Sequence, residues 1–476
     1  ASLDLLRYLA RELANSPILI VATYRDHEVT RAHPLYTLLP ILAREAAPLR
    51  LHLTPLDDVA VQTLLWARYG LAPADEVRLV GALRARAEGN PLFIGEILRV
   101  CEEQGLLRRA EDNDRAWVLG DLDHIEVPPL IKQVINGQIA PLGDEAARLL
   151  AIAATLGREV SLALWATVAG VGEEDLLAVI ERAVEMQLIE EVPDGTAIRF
   201  RQALTRQTIY AGLPASRRRI WHRRAGELLA ADREALAGDP GAVAEHFSQA
   251  GDPRAVAWLV QAAERALRAA DWAAAAERLA RAATLLRASG EDEATRGWLH
   301  YRLGRLRGHD DPVTAHAHLA EAEQIAAARD DRALRTLTAF ARARLHLTPG
   351  QIPWGLAAMA DAAADWAALR PDDLADAPAR QGGASPAPPW GTLALARATM
   401  GQLDEAGQLA ARVVAEPPPP VPDHREGDWP WGDAHLALGH IHALRGALPE
   451  ARAAYRRARG AYRAAARHLA LGHTAA

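Results

Sequence analysis

The chain has 476 residues, of which 50% are hydrophobic and 24% are charged. Its formal net charge is −7, which excludes a global basic field that would favour nucleic acid or a membrane surface. At this length we expect about three domains, each able to bury a core.

Cysteine usage and apolar runs narrow the class of protein further. Cys101 is the single cysteine, which excludes an internal disulfide and is typical of a reducing cytoplasm. No apolar run reaches the roughly 20 residues that span a bilayer, and no signal peptide is recognisable. We therefore expect a cytoplasmic protein. Because residue 1 is not methionine and lies inside an expected helix, we also expect the chain to be truncated or processed.

Residues 1–55 read as part of an α/β domain. Leucines at helical spacing predict a helix over 1–14, and the apolar run at 17–24 predicts a strand buried on both faces. Residues 49–53 alternate in polarity and predict a second strand. Two strands cannot bury one another, so this remnant of a sheet requires further strands.

Residues 56–125 are expected to form a small helical domain. Two apolar faces predict two helices, and Gly89-Asn90-Pro91 ends the second of them. A third helix is expected from Phe93, and residues 110–124 are polar and predict a loop.

Residues 126–236 carry the pattern of a winged helix. Helices are expected near 129–140, 144–156 and 173–187, and a hairpin follows from 188 to 200 through the turn Pro193-Asp194-Gly195. Residues 203–235 are expected to continue as helix.

Residues 240–476 are alanine-rich and predict helical repeats of the tetratricopeptide (TPR) type. Small residues would let paired helices approach, and Tyr455 would fill the space toward the next repeat; the pattern consists of Leu438, Gly439, Gly446, Ala451, Tyr455 and Ala458. It recurs at Gly401, Ala406 and Ala410, and more weakly at Asp271, Ala276, Ala280 and Ala283. Pro-rich linkers at 371–390 and 416–430 interrupt the array.

Three motifs together resemble the signal-transduction ATPases with numerous domains (STAND), a regulator branch of the AAA-like ATPases. They are the strand at 18–26 that ends Thr-Tyr-Arg, the Gly-Asn-Pro-Leu-Phe at 89–93, and the Phe-Arg-Gln-Ala-Leu-Thr-Arg-Gln at 200–207. The nearest resemblance is to large ATP-binding regulators of the LuxR type and to the ATPase–TPR module of some bacterial adenylate cyclases.

The resemblance implies a mainly α fold with four parts. These are the C-terminal remnant of a P-loop nucleotide-binding α/β domain at 1–55, a helical lid at 56–125, a winged helix at 126–236, and a TPR-like α-superhelix at 240–476. The implied function is that of a nucleotide-dependent regulatory switch with a TPR-like sensor.

The resemblance also implies which residues face the nucleotide. Thr23 and Arg25 match a sensor whose arginine approaches the γ-phosphate, a role that suits a bidentate guanidinium. Gly89, Asn90, Pro91 and Leu92 match the lid motif that packs on adenine and ribose. Gln202 stands where related switches carry a histidine that senses the ADP phosphate; an amide can donate a hydrogen bond but carries no charge.

Two elements of the family are absent from the sequence. The chain has one lysine, Lys132, and the residue immediately before it is Ile131 and not glycine. There is therefore no Gly-x-x-x-x-Gly-Lys-Ser/Thr loop (Walker A) to cradle phosphates. The acidic pair that holds Mg²⁺ (Walker B) is absent as well. ATP or ADP with Mg²⁺ is implied for the intact protein, but neither tight nucleotide binding nor hydrolysis is expected from this chain alone.

The remaining partners follow from the same resemblance. A protein or a small-molecule inducer would bind the TPR-like surface, self-oligomerisation is possible, and DNA would be bound only through a domain outside this chain. The basic run at 217–224 has two interpretations, a contact with DNA phosphates and a solvated helix face, and the solvated face is the favoured one. Histidines at 316, 318, 435, 440 and 442 lack a completing cysteine or carboxylate cluster, so no metal site is expected. The alternative hypothesis, from a different functional class, is that the protein is an interaction scaffold that binds no nucleotide.

Overall fold

The computed structural model describes residues 2–12, 17–24, 29, 33–45, 49–110, 113–122, 125–231, 239–269, 271–290, 292–308, 310–346, 352–374, 390–415 and 430–471. Within these residues there are 23 α-helices and two small sheets. The predicted mainly α fold is therefore confirmed. The chain divides into two compact units, Ala1–Ala225 and Gly226–Ala476.

The first unit is built from short helices joined by proline- and glycine-containing turns. Its helices are Ser2–Glu12, Pro34–Glu45, Asp58–Arg68, Pro73–Ala87, Pro91–Glu103, Pro129–Ile139, Asp144–Leu156, Leu162–Ala169, Glu173–Glu185, Ala203–Ala211 and the start of Ala215–Ala231. One apolar core joins the helices between 58 and 139 to Leu204 of a later helix, so residues far apart in sequence share a single interior.

The two strands predicted in residues 1–55 are not formed. Residues 17–24 and 49–53 have no strand structure, and Leu19, Leu49 and Leu53 are 87%, 85% and 89% exposed. A strand is held by hydrogen bonds to a neighbouring strand and by cover on its faces. Neither is available to these segments within the described residues.

A hairpin replaces the loop predicted at 110–124. Strand Leu107–Ala110 pairs antiparallel with Asn113–Leu119, in the register Leu107↔Leu119 and Arg109↔Trp117. Leu107 and Leu119 enter the core, and the Trp117 ring meets the Tyr69 ring edge-on with centroids 4.9 Å apart. The burial of these apolar side chains stabilises the hairpin although most of the segment is polar.

The predicted hairpin after the second group of helices is present. Ile189–Glu191 and Ala197–Phe200 pair antiparallel, and Glu159–Ser161 adds a third strand on the other side of Ala197–Phe200. Neither this added strand nor the helix Leu162–Ala169 was predicted. That helix is anchored by the fully buried Trp165, whose Nε1 donates to the Leu149 carbonyl at 2.9 Å.

The single helix predicted over 203–235 is two helices, Ala203–Ala211 and Ala215–Ala231. The break falls at Gly212 and Pro214, because proline disfavours helical backbone at the residue before it. Residues 232–235 lie outside the described part of the chain.

The second unit is a TPR-like α-superhelix in which successive helices pack on one another. Its helices after residue 231 are Pro240–Ala250, Ala255–Arg268, Trp272–Ser289, Glu293–Arg307, Pro312–Arg329, Arg332–Leu345, Ile352–Ala367, Pro371–Leu374, Trp390–Thr399, Leu403–Val414, Pro430–Leu444 and Leu448–Leu471. Most of the two linkers predicted as Pro-rich, residues 375–389 and 416–429, lies outside the described residues.

The small-residue pattern acts through close helix contacts. Ala406, Ala410, Ala276 and Ala283 are buried, and a side chain at Gly439 would overlap the Tyr455 ring. Tyr455 therefore packs on Gly439 of the preceding helix rather than only filling space toward a next repeat. Aspartates cap several helix starts; Asp271, for example, accepts a hydrogen bond from the Ala274 N–H at 3.0 Å.

Candidate functional site

The motif at residues 89–92 forms a constrained turn between two helices. Helix Pro73–Ala87 ends at Glu88 and Gly89, which both have left-handed backbone, with φ of 49° and 79°. Asn90 then caps helix Pro91–Glu103, and its side chain accepts a hydrogen bond from the Leu92 N–H at 3.0 Å. The sequence signal for a helix stop thus produces a stop and a new start within three residues.

A backbone contact connects this turn to the start of the predicted helical lid. The Leu56 N–H donates to the Gly89 carbonyl at 2.8 Å. A Cβ at Gly89 would collide with the backbone of Leu56, so both the positive φ and the close approach require glycine.

The turn borders a cleft of about 750 Å³. Helix Asp58–Arg68 contributes one side of the cleft and helix Pro73–Ala87 another, while Arg158 reaches in from the predicted winged helix. The lining residues are Leu56, Asp57, Asp58, Val59, Gly81, Arg84, Ala85, Glu88, Gly89 and Arg158.

Two ion pairs set the electrostatics of the cleft. Arg84 lies 2.5 Å from the Asp58 carboxylate, and Arg158 lies 2.6 Å from the Glu88 carboxylate. Both pairs are partly exposed, so their stabilising effect is small. Both arginines border the open space, so an anion that enters the cleft can displace either carboxylate and bind the guanidinium in its place.

A further basic group lies behind Arg158. The Arg206 side chain donates to the Ala154 carbonyl at 3.1 Å. Burial lowers the pKa of Arg206, and the positive charge of Arg158 lowers it further. Arg206 therefore adds a second guanidinium near Arg158.

The residues identified from sequence are distributed unevenly around this site. Gly89 lines the cleft, whereas the adjoining Pro91 and Leu92 are exposed. Gln202 is half-buried and begins helix Ala203–Ala211. It lies two residues after Phe200, the end of the strand, whose N–H donates to the Arg158 carbonyl at 2.9 Å. Gln202 itself does not line the cleft.

The predicted sensor segment contributes no described contact to the cleft. Thr23 is exposed, and Arg25 lies outside the described residues. Its proposed role toward a γ-phosphate therefore stays a prediction.

Sequence reasoning missed Arg84, Glu88 and Arg158. Glu88 carries a weak signal, since it immediately precedes the Gly-Asn-Pro motif. Arg158 carries none, because it meets Glu88 across 70 positions of sequence.

The basic run at 217–224 is partly structural. The Arg218 guanidinium lies over the Tyr210 ring at 5.1 Å, and the Tyr210 hydroxyl is 3.0 Å from Nε2 of the buried His222. Arg217, Arg219 and Arg223 are exposed. The run therefore combines packing with a solvated face.

Among the residues described, no three His, Cys, Asp or Glu side chains come together as a possible metal site. Of the helices described, none is both long and apolar enough to cross a bilayer.

Comparisons with known proteins give little similarity. No protein-family model and no curated protein matches the chain. One solved structure that aligns with it is a signal transduction ATPase with numerous domains (STAND) protein with a tetratricopeptide repeat sensor, from Pyrococcus horikoshii. The alignment has 10% identity and a TM-score of 0.30, and covers 91% of this chain and 64% of that one. The chain thus spans less than two thirds of that protein's length, and a likeness this low carries no argument about function.

Proposed function

We propose that the chain is part of a regulatory signal-transduction ATPase: a nucleotide-dependent switch joined to a TPR-like sensor. The observation that carries the proposal is the Gly89 turn, which is held against Leu56 and opens on a cleft that contains Arg84 and Arg158. The lid motif found from sequence thus borders a pocket with groups suited to phosphate or ribose.

The residues present fit part of a nucleotide. A cleft of about 750 Å³ is within the range of small-molecule sites, and guanidinium groups recognise phosphate oxygens. The sequence carries no loop that would cradle the β- and γ-phosphates. When bound in the intact protein, ATP would supply the γ-phosphate whose loss the switch reports, and Mg²⁺ would neutralise the charge of the phosphates.

The switch requires contacts that differ between two states. In the closed state we propose, the Arg158–Glu88 pair holds the winged helix to the lid. Gln202 does not line the cleft, so the role toward ADP that its motif implies, a hydrogen bond without charge, stays a prediction. An inducer or partner protein on the TPR-like surface, together with ATP, favours the open state. Opening then permits oligomerisation and releases an effector domain.

The effector we favour is that of a LuxR-type transcriptional regulator, on resemblance alone. In that case DNA is bound by a domain outside residues 1–476, and we expect no gel shift of DNA by this chain at moderate salt. The ATPase–TPR module of an adenylate cyclase is the alternative within the same class.

A nucleotide-free interaction scaffold is the second candidate function. Two observations favour it: Gln202 replaces the expected histidine, and both cleft arginines already pair with carboxylates. In this alternative the cleft is vestigial and the superhelix alone carries function.

Thermal unfolding of the full-length gene product, with and without saturating ADP or ATP, separates the two functions. A ligand that binds only the folded state raises the midpoint by mass action. We expect ADP to raise it and Arg84→Gln to diminish the rise. Arg78→Gln is the matched control, since Arg78 lies on the same helix and pairs with Asp75 at 2.9 Å but does not line the cleft. No shift with either nucleotide would leave the scaffold as the better account.

A further inference from the structure

Two histidines meet inside the second unit. His300 lies on helix Glu293–Arg307 and His318 on the next helix, Pro312–Arg329. Their Nδ1 atoms are 3.0 Å apart, and the ring centroids are 5.2 Å apart. His300 is only 5% exposed and His318 is half-buried. The contact is therefore an interior link between neighbouring helices of the superhelix.

The hydrogen bond between His300 and His318 contains one proton, and the surroundings do not stabilise a second proton on either ring. A hydrogen bond between two imidazole nitrogens needs one donor and one acceptor. Nε2 of His300 is buried and, within the residues described, has no hydrogen-bond partner. Because an orphaned N–H is tolerated less well than a bare lone pair, we assign the shared proton to Nδ1 of His300, which donates to Nδ1 of His318.

A second proton would disrupt this arrangement whichever ring received it. On His300 it would sit at the buried Nε2 without an acceptor among the described residues. On Nδ1 of His318 it would place two N–H groups face to face across 3.0 Å. Either outcome favours separation of the two rings, because a buried unpaired charge is costly.

The surrounding charges also oppose protonation. The charged groups acting on the two rings are Arg287, Arg296, Arg307, Asp311 and Glu321. Glu321 is already engaged, since its carboxylate lies 2.6 Å from Arg296 and 3.8 Å from Arg287. The environment is thus net basic, and little negative charge is left to stabilise an imidazolium.

The titration of both rings follows from this environment. Burial, and then the neighbouring His318, lowers the pKa of His300 to about 4. Burial, and then Arg307 and Arg287, lowers the pKa of His318. Because the folded state prefers both rings neutral, the stabilising effect is present above the ordinary pKa of 6.5 and is lost as the pH falls from there toward about 4.

We propose that His300 and His318 form a pH-sensitive lock between two helices of the superhelix, closed when both rings are neutral and opened by protonation in mildly acidic solution. Opening parts helix Glu293–Arg307 from helix Pro312–Arg329 and so changes the surface that they offer to a partner. This lock lies wholly within the second unit and does not depend on nucleotide binding.

Urea unfolding at about pH 7.5 and about pH 5 tests the lock. The shift of His300 from 6.5 to about 4 alone predicts a rise of about thirtyfold in the unfolding equilibrium constant over that interval. The double variant His300→Gln/His318→Gln cannot titrate at either position, so it should lose this part of the pH dependence. His442→Gln, on helix Pro430–Leu444, is the control and should behave as the wild type. Equal pH dependence in the wild type and the double variant would overturn the proposal.

Hydrogen exchange of the wild-type protein decides the matter even if the double variant does not fold. After correction for intrinsic exchange rates, peptides from 293–329 should lose protection at about pH 5, while peptides from 144–169 in the first unit should keep theirs. Unchanged protection of 293–329 at the lower pH would equally overturn the lock.

Discussion

Gly89 holds a backbone conformation that another residue would adopt only with strain. Its φ is 79°, and a Cβ would collide with the carbonyl oxygen of Leu56. We predict that Gly89→Ala lowers the free energy of unfolding by roughly 1–3 kcal/mol. Gly81 lines the same cleft, and an added methyl group there would meet open space. Gly81→Ala should therefore raise the free energy of unfolding by up to about 1 kcal/mol, because alanine favours a helix more than glycine does. Urea unfolding of both variants is the measurement, and equal effects would contradict the assignment.

Cys101 offers an independent test of the interior of the first unit. It is fully buried in the core that contains Leu98 and Ile97, and burial raises the pKa of its thiol to about 11. At a pH of about 8 the thiolate should be roughly a hundredfold scarcer than for a thiol at the ordinary value of 9.0. We expect slow labelling by a thiol reagent in buffer and rapid labelling in urea. Rapid labelling of the folded protein would show that this core opens readily.

Residues of the candidate site were predictable where the interaction is local. Gly89 and Asn90 form a turn whose chemistry lies within a few residues, so a helix stop could be predicted from glycine and proline alone. Arg84 and Arg158 could not be identified in this way. Their position beside the cleft depends on how helix Pro73–Ala87 packs near a strand more than 60 residues later, and no local pattern encodes that packing.

The Arg158–Glu88 pair connects two elements that the sequence assigns to different domains. Its side chains are 51% and 27% exposed, so we predict a coupling energy of no more than about 1 kcal/mol. A double-mutant cycle with Arg158→Ala and Glu88→Ala should show this coupling, and it should shrink at high salt because exposed charges are screened. A coupling that is absent at low salt would remove the pair from the proposed closed state.

Close packing of the last helix pair makes a second prediction at the scale of elements. A methyl group at Gly439 would overlap the Tyr455 ring, whereas Gly460 has open space. Overpacking outweighs the gain in helix propensity, so we expect Gly439→Ala to lower the free energy of unfolding by about 1–2 kcal/mol. Gly460→Ala should not lower it. Thermal or urea unfolding distinguishes the two, and an unaffected Gly439→Ala would show that the helices can move apart without cost.

Helices were more predictable than strands, for a physical reason; among the predicted strands, those of the hairpin around Pro193-Asp194-Gly195 are present, because a short local turn joins them. Helix Asp144–Leu156 was predicted with the observed bounds because its hydrogen bonds and apolar face are local. The strands predicted at 17–24 and 49–53 failed because a strand depends on a partner elsewhere in the chain. The hairpin that pairs Arg109 with Trp117 was not predicted, because the contact between Trp117 and Tyr69 forms only in the folded core and has no local sequence pattern.

At the scale of the whole molecule, the chain combines a site-bearing unit with an α-superhelix. Each has its own apolar core: one set of buried residues lies between Val61 and Leu204, and others lie along the repeats. The first unit carries the cleft with Gly89 and Arg158, and the second carries the His300–His318 contact. Ligand response and pH response are therefore expected to be separable by mutation.

Hydrogen exchange of the full-length gene product with and without ADP tests the central claim most directly. We predict that ADP slows exchange in peptides that contain the Gly89 turn and in peptides around Arg158 and Gln202, because a bound nucleotide would order the cleft and the element behind it. Unchanged exchange in both regions at saturating ADP, in a protein that is folded by the same measurement, would contradict the switch.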